Sequence, residues 1–167
     1  AMQAGVNGIN LSGGDASNVT ITSTGNPNTI VTSAVTRTAA TNPNLTMTSD
    51  GDLTLGAAID LGTGTFVATV DANDDEAGAG SATLAVNGAP TAGVITLTGG
   101  SVTGGVDDGT DGTGDVINVN ANVTASTGAL TIQDAAVVNL VAVGTQLTGV
   151  SVDASNDVGA VSYTHLT

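Results

Sequence analysis

Apolar side chains in this chain recur in short bursts that alternate with threonine, serine or asparagine. Val19-Thr20-Ile21-Thr22, Leu45-Thr46-Met47-Thr48, Leu53-Thr54-Leu55, Phe66-Val67-Ala68-Thr69-Val70, Ala82-Thr83-Leu84-Ala85-Val86 and Ile95-Thr96-Leu97-Thr98 follow the pattern. Val116-Ile117-Asn118-Val119, Leu130-Thr131-Ile132, Val138-Asn139-Leu140-Val141 and Val150-Ser151-Val152 continue it. Period-two alternation puts one set of side chains on a buried face and the other on a wet face, and β-branched residues suit the extended backbone. Gly, Asn, Asp and Ser fill the gaps and supply turns. No segment carries Leu, Glu, Lys and Ala at helical spacing. The expectation is an all-β chain.

Composition narrows what such strands can bury. At 40% hydrophobic residues the 167-residue chain is too apolar for a disordered acidic tail. With one Phe, one Tyr and no Trp, its core must consist of aliphatic stripes. The 15 acids face a single base, Arg37, giving a formal charge of -14. A nucleic-acid or polyphosphate partner is excluded on that ground, because phosphate recognition needs several Lys or Arg. No apolar run approaches the roughly 20 residues of a membrane helix, so membrane insertion is not expected. Cysteine is absent, which removes disulfides and thiolate chemistry and is compatible with export.

A repeat is visible at an offset of 63 or 64 residues. Gly51-Asp52-Leu53 matches Gly114-Asp115-Val116; after one inserted residue Leu55 matches Val119, Ala57 Ala121, Ile59 Val123, Thr63-Gly64 Thr127-Gly128, and Phe66 Leu130. This offset reads as three turns of a coil of about 20 residues each. A parallel β-solenoid suits a core of small aliphatics, since a narrow interior can repeat the same side chain coil after coil. The alternative is an antiparallel β-sandwich, for which Asp50-Gly51 and Asn87-Gly88 supply hairpin-turn dipeptides.

The segments Gly51-Asp52-Leu53-Thr54-Leu55-Gly56-Ala57-Ala58-Ile59 and Gly114-Asp115-Val116-Ile117-Asn118-Val119-Asn120-Ala121-Asn122-Val123, followed by Thr63-Gly64 and Thr127-Gly128, resemble the repeats of filamentous-haemagglutinin-like exoproteins and autotransporter passengers. The resemblance covers most of residues 45-152. It implies a right-handed parallel β-helix that serves as a stalk on a large secreted bacterial surface protein. The partners it implies are a cell-surface or extracellular-matrix ligand, or further copies of the chain joined end to end. It carries over no catalytic residue.

Eight acids fall in two segments. In the first, Asp71, Asn73 and Asp75 place oxygen ligands at alternate positions as a calcium loop does, although Glu76 stands where the turn glycine of an EF-hand belongs. In the second, Asp107, Asp111 and Asp115 lie among glycines, in partial likeness to calcium-binding β-roll nonapeptides. Calcium is therefore the candidate ion for these six residues; otherwise they belong to solvated loops. Enzyme activity is not expected. Paired-carboxylate glycoside chemistry would lack aromatic platforms and counter-charge, and a Ser-His-Asp arrangement would depend on the lone His165. A calcium- or glycan-binding sandwich module is the rival function.

Thr-x-Thr pairs occur at Thr20/Thr22, Thr36/Thr38, Thr46/Thr48 and Thr96/Thr98. Stacked on one face of a solenoid, such pairs could bind ice. Their spacings of 16, 10 and 48 are not one coil period, and β-propensity alone selects threonine for outward positions. Ice binding is therefore not expected. Ala1-Met2 reads as a cloning remnant. Val161-Ser162-Tyr163-Thr164-His165-Leu166-Thr167 holds the only Tyr and the only His and reads as a non-native tail. The expected organisation is a single solenoid domain over 1-160, part of a longer repeat protein, with a tail over 161-167.

Overall fold

The computed structural model describes residues 9–11, 17–24, 29–37, 41–70, 82–99, 115–135, 137–154 and 160–163. They form six coils of three strands each. The first coil is β1 (Ile9–Leu11), β2 (Asn18–Ser23) and β3 (Thr29–Val31), and the second β4 (Val35–Arg37), β5 (Asn44–Ser49) and β6 (Leu53–Leu55). The third is β7 (Ile59–Asp60), β8 (Thr65–Thr69) and β9 (Thr83–Val86), and the fourth β10 (Pro90–Ala92), β11 (Val94–Thr98) and β12 (Val116–Val119). The fifth is β13 (Val123–Ala125), β14 (Ala129–Gln133) and β15 (Val137–Leu140), and the sixth β16 (Leu147–Thr148), β17 (Ser151–Ala154) and β18 (Ala160–Tyr163).

Every third strand pairs, in parallel, with its counterpart one coil away. Three six-stranded sheets result: sheet A from β1, β4, β7, β10, β13 and β16; sheet B from β2 onward by threes; sheet C from β3 onward by threes. The chain is a right-handed parallel β-helix, the sense that parallel β connections almost always take.

The antiparallel sandwich is overturned by this pairing. Asp50-Gly51 and Asn87-Gly88 are corners between consecutive sheets, not hairpin turns. The amides of Asn87 and Gly88 both donate to the carbonyl of Leu55 in the coil before, at 2.9 and 2.7 Å, so the corner bonds down the stack and not across a hairpin. A Cβ at Gly88 would collide with the backbone of Ala57. Glycine is required there by coil-on-coil approach.

The interior consists of columns of aliphatic side chains. Leu45, Phe66, Ile95 and Leu130 stack in register along sheet B, as do Met47, Ala68, Leu97 and Ile132, all within 2% of complete burial. Sheet C contributes Leu53, Leu84, Ile117 and Val138, then Leu55, Val86 and Val119. Bulky Phe66 sits beside small Ala68 in the same strand, so one coil balances its own volume. Such close packing is the main source of stability in a narrow core.

The repeat is corrected in its count. Asp52 and Asp115 precede β6 and β12, which flank β9 in sheet C, so the offset of 63 spans two turns and not three. Coil length varies: paired asparagines lie 26 residues apart between β2 and β5, 33 apart between the ends of β9 and β12, and 21 apart between β12 and β15. The long turns are those that contain 71–81 and 100–114, inserted between sheets B and C. Adding residues at a corner leaves the stacked strands unchanged.

Candidate functional site

Two features of the surface stand out: the corner from which the acidic segments leave, and the outer face of sheet B.

Both acidic segments connect sheet B to sheet C in consecutive coils, one between β8 and β9 and the other between β11 and β12. They therefore leave from neighbouring strands of sheet B and return to neighbouring strands of sheet C. Of the six candidate calcium ligands, Asp71, Asn73, Asp75, Asp107 and Asp111 lie outside the described residues. Asp115 is described, and it is engaged: its Oδ1 accepts the amide of Ala82 at 2.7 Å. From the coil on the other side, Asp52 Oδ1 accepts the amide of Thr83 at 2.8 Å. Backbone bonds complete the stem, with Val70 N donating to Thr98 O at 3.2 Å and Val116 N to Ala82 O at 3.0 Å. The strands are thus anchored on both sides of each insert. Among the described residues no group of three or more His, Cys, Asp or Glu is gathered as a metal site would need.

The outer face of sheet B is different in character. Its strands are long enough to carry several outward positions each, whereas sheet A strands such as Ile59–Asp60 offer one. From β2 to β14 these positions are Asn18, Thr20 and Thr22; Asn44, Thr46 and Thr48; Thr65, Val67 and Thr69; Val94, Thr96 and Thr98; and Ala129, Thr131 and Gln133. They form columns in unbroken register. One column reads Thr20, Thr46, Val67, Thr96, Thr131, and the next reads Thr22, Thr48, Thr69, Thr98, Gln133. Thr20 and Thr22 are exposed, most of the others half-buried between their column neighbours, and Thr98 buried.

Side-chain bonds run along these columns. Thr48 Oγ1 donates to Thr22 Oγ1 at 3.2 Å, and Asn44 Nδ2 to Asn18 Oδ1 at 2.9 Å. Asn44 Oδ1 also accepts the amide of Thr65 at 2.8 Å, so this one side chain links three coils. Although their sequence spacings are not one coil period, three of the four Thr-x-Thr pairs stack. Thr20/Thr22, Thr46/Thr48 and Thr96/Thr98 share one face with Val67/Thr69 between them, and the irregular spacing reflects variable corners. Thr36 is on sheet A instead, paired with Asn10, and Thr38 lies outside the described residues.

The one basic residue is also structural. Arg37 Nε approaches Asp60 Oδ1 at 3.3 Å, and a terminal guanidinium nitrogen donates to the carbonyl of Thr41 at 3.1 Å. It ties the second coil to the third at the corner between sheets A and B.

Comparison with protein-family models, curated proteins and solved structures finds no match. The reading of this surface therefore rests on its own geometry.

Proposed function

We propose that this chain is a structural and adhesive stalk module of a secreted bacterial surface protein, without catalytic activity. The observation that carries the reading is the self-similar stack: each coil offers the next the same three strands in register, so a rod of any length can be built by adding coils. At about 4.8 Å per coil, six coils extend for only about 24 Å between the first and last strand, which suits a piece of a longer stalk. The high negative charge keeps such a rod soluble and opposes side-by-side association. The composition supports a non-catalytic role: one Arg, one His and no Cys leave little to build a reactive centre from.

The proposed partner is a cell-surface or matrix ligand, or another copy of the chain end to end. Beads coated with the protein are to be tested for retention on matrix-coated and cell-coated surfaces under flow, with light scattering to follow end-to-end growth. Retention severalfold above uncoated beads, or growth into fibres, supports the proposal. Beads that wash off at the uncoated rate, from a protein that stays monomeric, would remove the adhesive part. With one Phe and one Tyr in the chain, no aromatic platform for sugars can be assembled. Sub-micromolar binding on a glycan array would contradict this reading and favour a glycan-binding module.

A further inference from the structure

We infer that the outer face of sheet B is an ice-binding plane: a two-dimensional array of threonine hydroxyls and methyls that orders water on a lattice close to that of ice. The inference is independent of the stalk reading and rests on the register of the columns.

Nine of the fifteen outward positions from β2 to β14 are threonine, eight of them at least partly exposed, and none is charged, in a chain with 15 acids. The uncharged face ends at β17, where Asp153 continues the column of Thr131. A charged face would hold its own hydration shell, whereas hydroxyls and methyls can join a water lattice from one side. Threonine is stiff at χ1, so little side-chain freedom is lost on contact, and preorganisation favours binding. The hydrogen bond from Thr48 to Thr22 shows hydroxyls of successive coils already aligned, and side-chain ladders of this kind hold a sheet flat. Val67 interrupts one column but keeps the branched shape.

Distances decide whether such an array can match ice. Parallel strands stand about 4.8 Å apart, and alternate residues along a strand about 6.6 Å. Water oxygens about 2.75 Å apart in tetrahedral geometry repeat every ~4.5 Å within a layer and every ~7.3 Å across layers. Over the four intervals from β2 to β14 the first mismatch accumulates to about 1.2 Å, and over one interval the second is about 0.7 Å. Both are below half an oxygen–oxygen distance, so the two adjacent columns that hold most of the threonines can engage one crystal plane. No single contact is strong; affinity comes from many made at once by a rigid face.

The test is partitioning of the purified protein into slowly growing ice, together with thermal hysteresis and inhibition of ice recrystallisation. The wild type should enter the ice severalfold more than a globular protein of similar size and charge. Thr46→Tyr and Thr96→Tyr, each placing a bulky ring in the centre of the face, should fall to the level of that control. Thr54→Tyr, outward on sheet C, should behave as the wild type. Circular dichroism and melting midpoints establish that each variant is folded; should Thr96→Tyr fail this, Thr131→Lys on the same face gives the same reading. Exclusion of the wild type from ice would overturn the inference, as would normal uptake by the folded face variants or equal loss in Thr54→Tyr.

Discussion

The carboxylates of Asp52 and Asp115, 63 residues apart in sequence, close on adjacent amides of one strand from opposite sides. Asp115 takes Ala82 N–H and Asp52 takes Thr83 N–H, so the start of β9 is held by the coil before it and the coil after it. β9 follows an insert of 71–81, where a strand re-entering the stack has no short turn to set its register. Two charge-assisted acceptors at its first amides do so instead.

Removing either acceptor should therefore destabilise the protein locally. A hydrogen bond to a charged group contributes roughly 1.5–3 kcal/mol, and partial solvent exposure here reduces the expected loss to about 1–2 kcal/mol for Asp52→Ala or Asp115→Ala. Asp52→Asn keeps an acceptor and should recover much of it. Urea unfolding measures the difference, and hydrogen exchange should be faster at Thr83 in Asp52→Ala and at Ala82 in Asp115→Ala. Unchanged unfolding in both alanine variants would mean that water replaces the carboxylates at no cost.

Among the described residues Phe66 is the largest fully buried side chain, and it stands mid-column between Leu45 and Ile95. Phe66→Ala should cost about 3–5 kcal/mol, because neighbouring coils are fixed by their strand pairing and cannot collapse into the space. Ala68→Leu, overfilling the same coil, should cost about 1–3 kcal/mol. If the double variant is more stable than the sum of the two predicts, the volumes of the pair are coupled.

Two glycines are required for opposite reasons, and alanine at each separates them. Gly93 has Thr63 O on one side and Thr127 Oγ1 on the other, so an added Cβ meets atoms of both neighbouring coils. Gly93→Ala should lose about 1–3 kcal/mol by crowding. Gly144 has nothing within 4 Å but a φ of +81°, and Gly144→Ala should lose about 1–2 kcal/mol by backbone strain alone. Gly144→Asn, which tolerates that conformation better, should lose less. Thermal melts rank all three, and equal losses for Ala and Asn at 144 would contradict the strain argument.

Calcium is expected to act on stability and not on chemistry. Asp71, Asn73, Asp75, Asp107 and Asp111 belong to the inserts of consecutive coils and Asp115 borders the second, and a bound ion would offset the repulsion among the acids. A ligand at a hundredfold excess over its Kd stabilises by ~2.7 kcal/mol, and extracellular calcium sites commonly have Kd values of about 10⁻⁴–10⁻³ M. The melting midpoint should rise in millimolar Ca²⁺ relative to chelator at matched ionic strength. Asp75→Ala or Asp111→Ala should abolish the rise. Equal midpoints in the two buffers would remove the metal reading and leave Asp115 with its structural bond to the amide of Ala82 alone.

The alternation of single residues determined most of the strands in sheets B and C, though not β3 or β18, and which side chains face inward: Leu45 and Met47, Leu84 and Val86, Leu130 and Ile132 are legible from sequence because their strands are four to six residues long. Sheet A left almost no such signal. Val35–Arg37, Ile59–Asp60 and Pro90–Ala92 bury one or two side chains each, too few for a period to show, and Pro90 reads locally as a breaker. These strands exist because the coils above and below supply their partners. The same holds for the threonine face. Thr20, Thr46 and Thr96 are outward by alternation, yet their alignment depends on corner lengths that differ from coil to coil, and only the stacking of β5, β8 and β11 brings them into one column. Local propensity acts over a few residues and is written in sequence; register between coils is set by contacts 20 to 33 residues apart, which no local pattern encodes.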